Sequence, residues 1–169
     1  TNAGATWKSS APVAAGIFQI DALLVRNGRI YAGTLQNHGV LVSHGLGDTW
    51  TDYNQGLSGL GSLDIIDLTS QGDSLYLATI GGGAWVRNVN SGPWIHFGNQ
   101  IETFQADNMT AIAVGSSRLF AAGGFNGTVF YRDPGQPDWT VSLLFNDRFA
   151  PGLAGLSAIW TGHRWVVGS

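Results

Sequence analysis

The sequence predicts an all-β chain, a β-propeller of four-stranded antiparallel blades, about four blades' worth, with the terminal blade split between the N- and C-terminus. Three observations predict it. Trp7, Trp50, Trp94 and Trp139 recur at separations of 43, 44 and 45 residues. Tyr31, Tyr76, Phe120 and Trp165 recur at separations of 45, 44 and 45. Each full period holds four short alternating segments, and helical spacing is absent. A single four-stranded blade cannot cover both of its own faces, so such units stack around an axis and cover one another.

The elements follow in order. Thr1–Trp7 reads as the turn before a fourth strand. The first strand of each blade is an apolar run: DALLV at 21–25, LDIIDL at 63–68, MTAIAV at 109–114 and LSAIW at 156–160. Such runs suit the innermost strand, which neighbours cover on both sides. A polar turn and an alternating second strand follow, as NGRIYAGT at 27–34, GDSLYLAT at 72–79, SSRLFAAG at 116–123 and GHRWVVG at 162–168. Third strands read GVLVS at 39–43, GAWVR at 83–87 and GTVFYR at 127–132. Fourth strands open on the recurring Trp, as WTDY, WIHF and WTVSL. The whole is one domain, divided into a partial blade 1–16, blades 17–57, 58–101 and 102–149, and a partial blade 150–169. In this register the two partial blades add up to one blade lacking its third strand. Three arrangements stay open: a small ring whose ends share a blade, half of a ring completed by a second copy or a companion chain, or a piece of a longer propeller.

Composition narrows the function classes. Charged residues make up 11% of the 169, Gly numbers 25 and Trp 7, which suits a turn-rich β protein rather than a disordered one. A net charge of −3 and a single lysine, Lys8, offer no footprint for nucleic acid. The absence of cysteine removes disulfides and thiol chemistry. No apolar run approaches the roughly 20 residues of a spanning helix. The chain opens on Thr1 without Met or signal peptide, as a processed or trimmed chain does.

Residues 43–50, Ser43-His44-Gly45-Leu46-Gly47-Asp48-Thr49-Trp50, resemble the Asp-box motif Ser-x-Asp-x-Gly-x-Thr-Trp, with Gly45 at the Asp position. Asn2-x-Gly4-x-Thr6-Trp7 is a cleaner match, while 90–94 and 134–139 keep only the turn and the Trp. The chain thus resembles the Asp-box (BNR-like) propellers of sialidases, xyloglucanase-type glycosidases and sortilin-like receptors. The resemblance implies a structural turn between third and fourth strands, capped by a side chain, with the Trp packed between blades. It implies structural roles for Asn2, Gly4, Thr6, Trp7, Ser43, Gly47, Thr49 and Trp50.

Catalytic sets are sparse. Arg29, Arg118 and Arg164 share one repeat position in separate hairpins, so they do not converge as a sialidase triad must, and Glu102 is the only glutamate. A glycosidase needs two facing carboxylates. Asp21 and Asp64, from neighbouring inner strands, are the candidate pair; Asp64 and Asp67 point to opposite faces of one strand. His38, His44, His96 and His163 lack ligand spacing, so no metal and no cofactor are expected. The glycines at 81–83 lead into no helix and offer no phosphate site.

Binding remains. Propeller ligands sit on the face made by loops between strands two and three (35–38, 80–83, 124–127) and loops into the next blade (54–62, 98–107, 146–155). These loops and the end of the last inner strand supply Asn37, His38, Asp107, Phe125, Asn126 and Trp160, which suit a neutral polar ligand such as a sugar. The resulting expectation is a noncatalytic recognition or scaffold module of a secreted or cell-surface, bacterial-like protein, binding a glycan or protein ligand. The alternatives are a segment of an Asp-box glycoside hydrolase and an excised or engineered fragment that assembles into a larger ring.

Overall fold

The computed structural model of the chain describes residues 4–7, 16, 19–45, 47–59, 61–97, 108–123, 128–143, 157–160 and 165–168. Among them there is no helix. Three four-stranded antiparallel sheets and one two-stranded sheet appear in chain order, each with its strands in sequential order. The first sheet holds β1 (Ile20–Arg26), β2 (Arg29–Thr34), β3 (Val40–His44) and β4 (Thr51–Asp52). The second holds β5 (Ile65–Gln71), β6 (Ser74–Thr79), β7 (Ala84–Asn88) and β8 (Ser91–Phe97). The third holds β9 (Met109–Val114), β10 (Leu119–Gly123), β11 (Thr128–Arg132) and β12 (Thr140–Leu143), and β13 (Ser157–Trp160) pairs with β14 (Trp165–Gly168). The first strands pack in succession, β1 on β5, β5 on β9 and β9 on β13. This is the propeller arrangement, with each sheet a blade.

Alternation along the strands gives every blade two apolar faces. Leu24, Tyr31 and Val42 stand opposite one another across the first sheet and form its leading face. That face meets the trailing face of the second sheet, where Leu68, Leu77 and Trp85 are aligned. Together with Ile65, Leu75 and Trp94 they form one buried core. One blade further, Tyr76, Ala78, Ala84 and Phe97 meet Ile112, Ala121, Phe130 and Trp139 in a second core. Each large buried side chain contributes roughly 1.5–3 kcal/mol, so these inter-blade cores hold the chain together.

Two local features repeat with the blade. A register shift falls between Ile20 and Ala22, between Ile65 and Asp67, and at Ala122/Gly123 opposite Thr110. A bulge there bends each inner strand where it enters the sheet. Gly33 permits the close approach of the first two blades, because a Cβ there would lie 2.6 Å from Ile65 Cγ2.

A latch also repeats. The Trp94 indole N–H donates to the Tyr53 carbonyl of the preceding blade at 2.7 Å, and Trp139 donates to the Phe97 carbonyl at 3.2 Å. Each indole meets that same aromatic ring edge-on, at 6.2 Å for Tyr53–Trp94 and 5.6 Å for Phe97–Trp139. Each aromatic in turn meets the second-strand anchor of its own blade, Tyr31 at 5.5 Å and Tyr76 at 5.8 Å. A guanidinium from the following blade covers it: Arg87 lies 3.7 Å from the Tyr53 ring centre and Arg132 lies 3.8 Å from that of Phe97. Cation, indole and two stacked rings thus rivet adjacent blades along their outer halves.

Candidate functional site

The rim is built by loops that the backbone stitches together. Thr34 closes the β2–β3 loop by donating its N–H and hydroxyl to the Gly39 carbonyl, at 3.0 and 2.7 Å. Thr79 does the same with Gly83 in the next blade, at 3.0 and 2.8 Å. Each closed loop then bonds to the segment entering the following blade. Gly39 N–H donates to the Leu63 carbonyl, Asn37 N–H donates to the Asp64 carboxylate at 2.9 Å, and Ile80 bridges Asn108. Asn54 braces the loop from outside, accepting from Val40 N–H at 2.7 Å and donating to the His38 carbonyl at 3.0 Å.

This stitching holds Gln36 and Asn37 at positive φ, 62° and 65°. Asparagine tolerates the left-handed region better than most residues, and such backbone clusters at functional loops. Asn37 is exposed and His38 half-buried. The Asn37 amide therefore projects at the rim from a rigid support, with its own backbone N–H already occupied. Asp107, Phe125, Asn126 and the box residue Asn2 lie outside the described residues; Trp160 ends β13.

The carboxylates proposed as a catalytic pair have separate occupations. Asp21 sits at the β1 bulge, exposed, and accepts from the Gln19 side-chain amide at 2.8 Å. Asp64 lies in the turn before β5 rather than on the strand, because its N–H closes a turn onto the Gly61 carbonyl, and its carboxylate takes the Asn37 N–H. Asp67 clamps two blades, accepting from Leu68 and Ile112 N–H at 2.8 Å each. Burial pushes its carboxyl above the usual range, against the pull of those two bonds. Arg118 is engaged bidentately by Asp133 at 2.6 and 3.0 Å, in a hairpin on the outer part of its blade. Among the described residues no cluster of three or more metal-ligating side chains exists.

The box turns also resolve. Ser43 is buried at the end of β3, Gly47 takes φ 89°, Asp48 and Thr49 are exposed, and Trp50 is half-buried. Gly4 takes φ 83°. Trp94 and Trp139, from the two drifted copies, are 2% and 7% exposed, whereas Trp7, from the cleaner match, is 90% exposed. The turn motif orients an indole, but only a preceding blade can bury it. Sequence reasoning missed Arg87, Arg132 and Asn54 as structural residues. The signal for the two arginines was available in their spacing of 45.

No protein-family model matches the chain, and no curated protein matches it in sequence. Solved structures do match in shape. The chain is similar to the computationally designed Ika4 protein at 13% identity and a TM-score of 0.67, covering 97% of this chain and 93% of that one. It is similar to the designed Ika8 protein at 14% identity and a TM-score of 0.63, covering 89% of this chain and 42% of Ika8. It also resembles the extracellular domain of a protein described as a one-component system from Bacteroides thetaiotaomicron, at 16% identity and a TM-score of 0.66; 83% of this chain aligns with 18% of that chain. These likenesses establish the propeller-like fold.

Proposed function

We propose that the chain is a noncatalytic propeller module that recognises a neutral polar ligand, a glycan in the first instance, at the rim formed by the loops at 35–38 and 59–64. The observation that supports it is the rim itself. Its one carboxylate, Asp64, is spent on the Asn37 backbone, and that bond fixes an exposed amide and a half-buried imidazole on a closed loop. Amide and imidazole donors on a rigid support suit sugar hydroxyls and supply neither a nucleophile nor a proton-transfer pair. The turns at 43–50 and at 4–7 fit an Asp-box ancestry in their glycine geometry. Extracellular sensor domains with the same fold favour a secreted or cell-surface setting for this module.

Calorimetry with neutral oligosaccharides, following a glycan array, tests the reading. Binding that falls at least tenfold in Asn37→Ala supports it. Hydrolysis of a glycan that disappears in Asp64→Asn overturns it in favour of a glycosidase segment. Absence of binding across the array leaves a scaffold role and removes the recognition one.

A further inference from the structure

The blade repeat exposes an interface with no partner. On the trailing faces of the second and third blades the inner strands carry Leu68 and Ile112, 6% and 3% exposed beneath the preceding blade. The same repeat position in the first blade is Leu23, and it is 66% exposed; Val25, two residues on along the same face, is 72% exposed. The outer half of this face is covered, since Ala32 and Leu41 are 0% and 4% exposed. What the inner half lacks is the pair of inner strands that β1–β2 present to the second blade.

The latch gives an independent sign. Trp94 and Trp139 each donate to a carbonyl of the preceding blade, but the equivalent Trp50 indole N–H is buried with no partner. A buried unpaired N–H costs about 1–3 kcal/mol. The opposite loose end is Trp7, 90% exposed, whose counterparts at 94 and 139 are buried against a preceding blade.

We propose that the inner half of the first blade's trailing face, at Leu23 and Val25, docks the β13–β14 blade of a second copy of this chain, and that two copies close one ring. The complement lies in the chain itself: β14 carries Trp165 at the repeat position of the leading-face anchors Tyr31 and Tyr76. Within one chain, β13 packs on β9, and no comparable packing joins it to β1 among the described residues. The same sheets overlay less than half of the Ika8 chain, the curvature of an arc rather than of a closed ring. Two copies related by a two-fold axis each offer one leading and one trailing end, so the contact closes and leaves no free blade face.

Sedimentation equilibrium of the 169-residue chain tests this without any ligand, and so separately from the recognition reading. The expected mass is twice 17.9 kDa, 35.8 kDa. Leu23→Glu places a charge in the docked face and weakens dimerisation at least a hundredfold, about 2.8 kcal/mol, with the circular dichroism unchanged. Trp7→Ala, at a site 90% exposed in the single chain, weakens it at least tenfold while leaving the monomer folded. A monomer at every concentration, an open-ended polymer, or a dimer indifferent to both substitutions overturns the proposal.

Discussion

Replacing Trp94 with Phe removes one half of a blade latch and keeps the ring in place. The indole is 2% exposed, donates to the Tyr53 carbonyl at 2.7 Å and stacks edge-on against the Tyr53 ring. The lost hydrogen bond costs about 1 kcal/mol. The penalty stays near that value because the Arg87 guanidinium also donates to the Tyr53 carbonyl, at 3.2 Å, so the acceptor is not orphaned. The smaller ring forfeits buried apolar volume worth about 1–2 kcal/mol. The sum is about 2–3 kcal/mol. For a chain of this size that lowers the melting temperature by about 5–10 °C. Urea unfolding should show a lower midpoint with an unchanged slope, since the surface exposed on unfolding is the same. A loss below about 0.5 kcal/mol would refute the claim that the indole bonds hold the blades.

Gly33→Ala drives a methyl to within 2.6 Å of Ile65 Cγ2 and 3.1 Å of Ala22 Cβ, and should cost about 1–3 kcal/mol in a thermal melt through overpacking between the first two blades. Asp67→Asn keeps one acceptor oxygen for two N–H donors and should lose about 1 kcal/mol at neutral pH in urea titration. Because burial raises the Asp67 carboxyl above its unfolded value, folding favours the protonated form. Stability from this group is full below the unfolded pKa and is lost as pH rises through the folded one. The wild type should therefore gain on the Asn variant as pH falls through that acid window. Arg87→Met removes the cation lying 3.7 Å from the Tyr53 ring centre and should cost about 0.5–2 kcal/mol. Burial holds the Tyr53 phenol above its ordinary value while Arg87 pulls it down, so the same variant should titrate at still higher pH in an ultraviolet absorbance titration.

The period was legible because it is carried by the largest side chains. Indoles at 50, 94 and 139 and anchors at 31 and 76 mark the blade boundaries, and the aromatic chemistry that spaces them also rivets the blades. The strand pattern was legible for the same reason, since alternation decides which side chains reach a core. The inter-blade hydrogen bonds were not. Trp94 bonds a backbone carbonyl 41 residues away, and a carbonyl leaves no mark in a sequence. The placement of Asp64 also depended on something local patterning hides: a turn at Gly61 and a bulge between Ile65 and Asp67 set the strand start, which moved Asp64 off the ladder and onto the Asn37 loop. The rim was legible only as loops rich in amides. That Asn54 is a brace and Asn37 an outward group follows from which backbone N–H lies nearest, and identical side chains in neighbouring loops take opposite roles.

Hydrogen exchange of the tryptophan indole protons, resolved by nuclear magnetic resonance, bears on the latched-blade architecture most directly. Trp94 and Trp139 should exchange with the strongest protection, in step with global unfolding, because both bonds are buried between blades. Exchange of these two protons at the rate of a free indole would contradict the stacked-blade account.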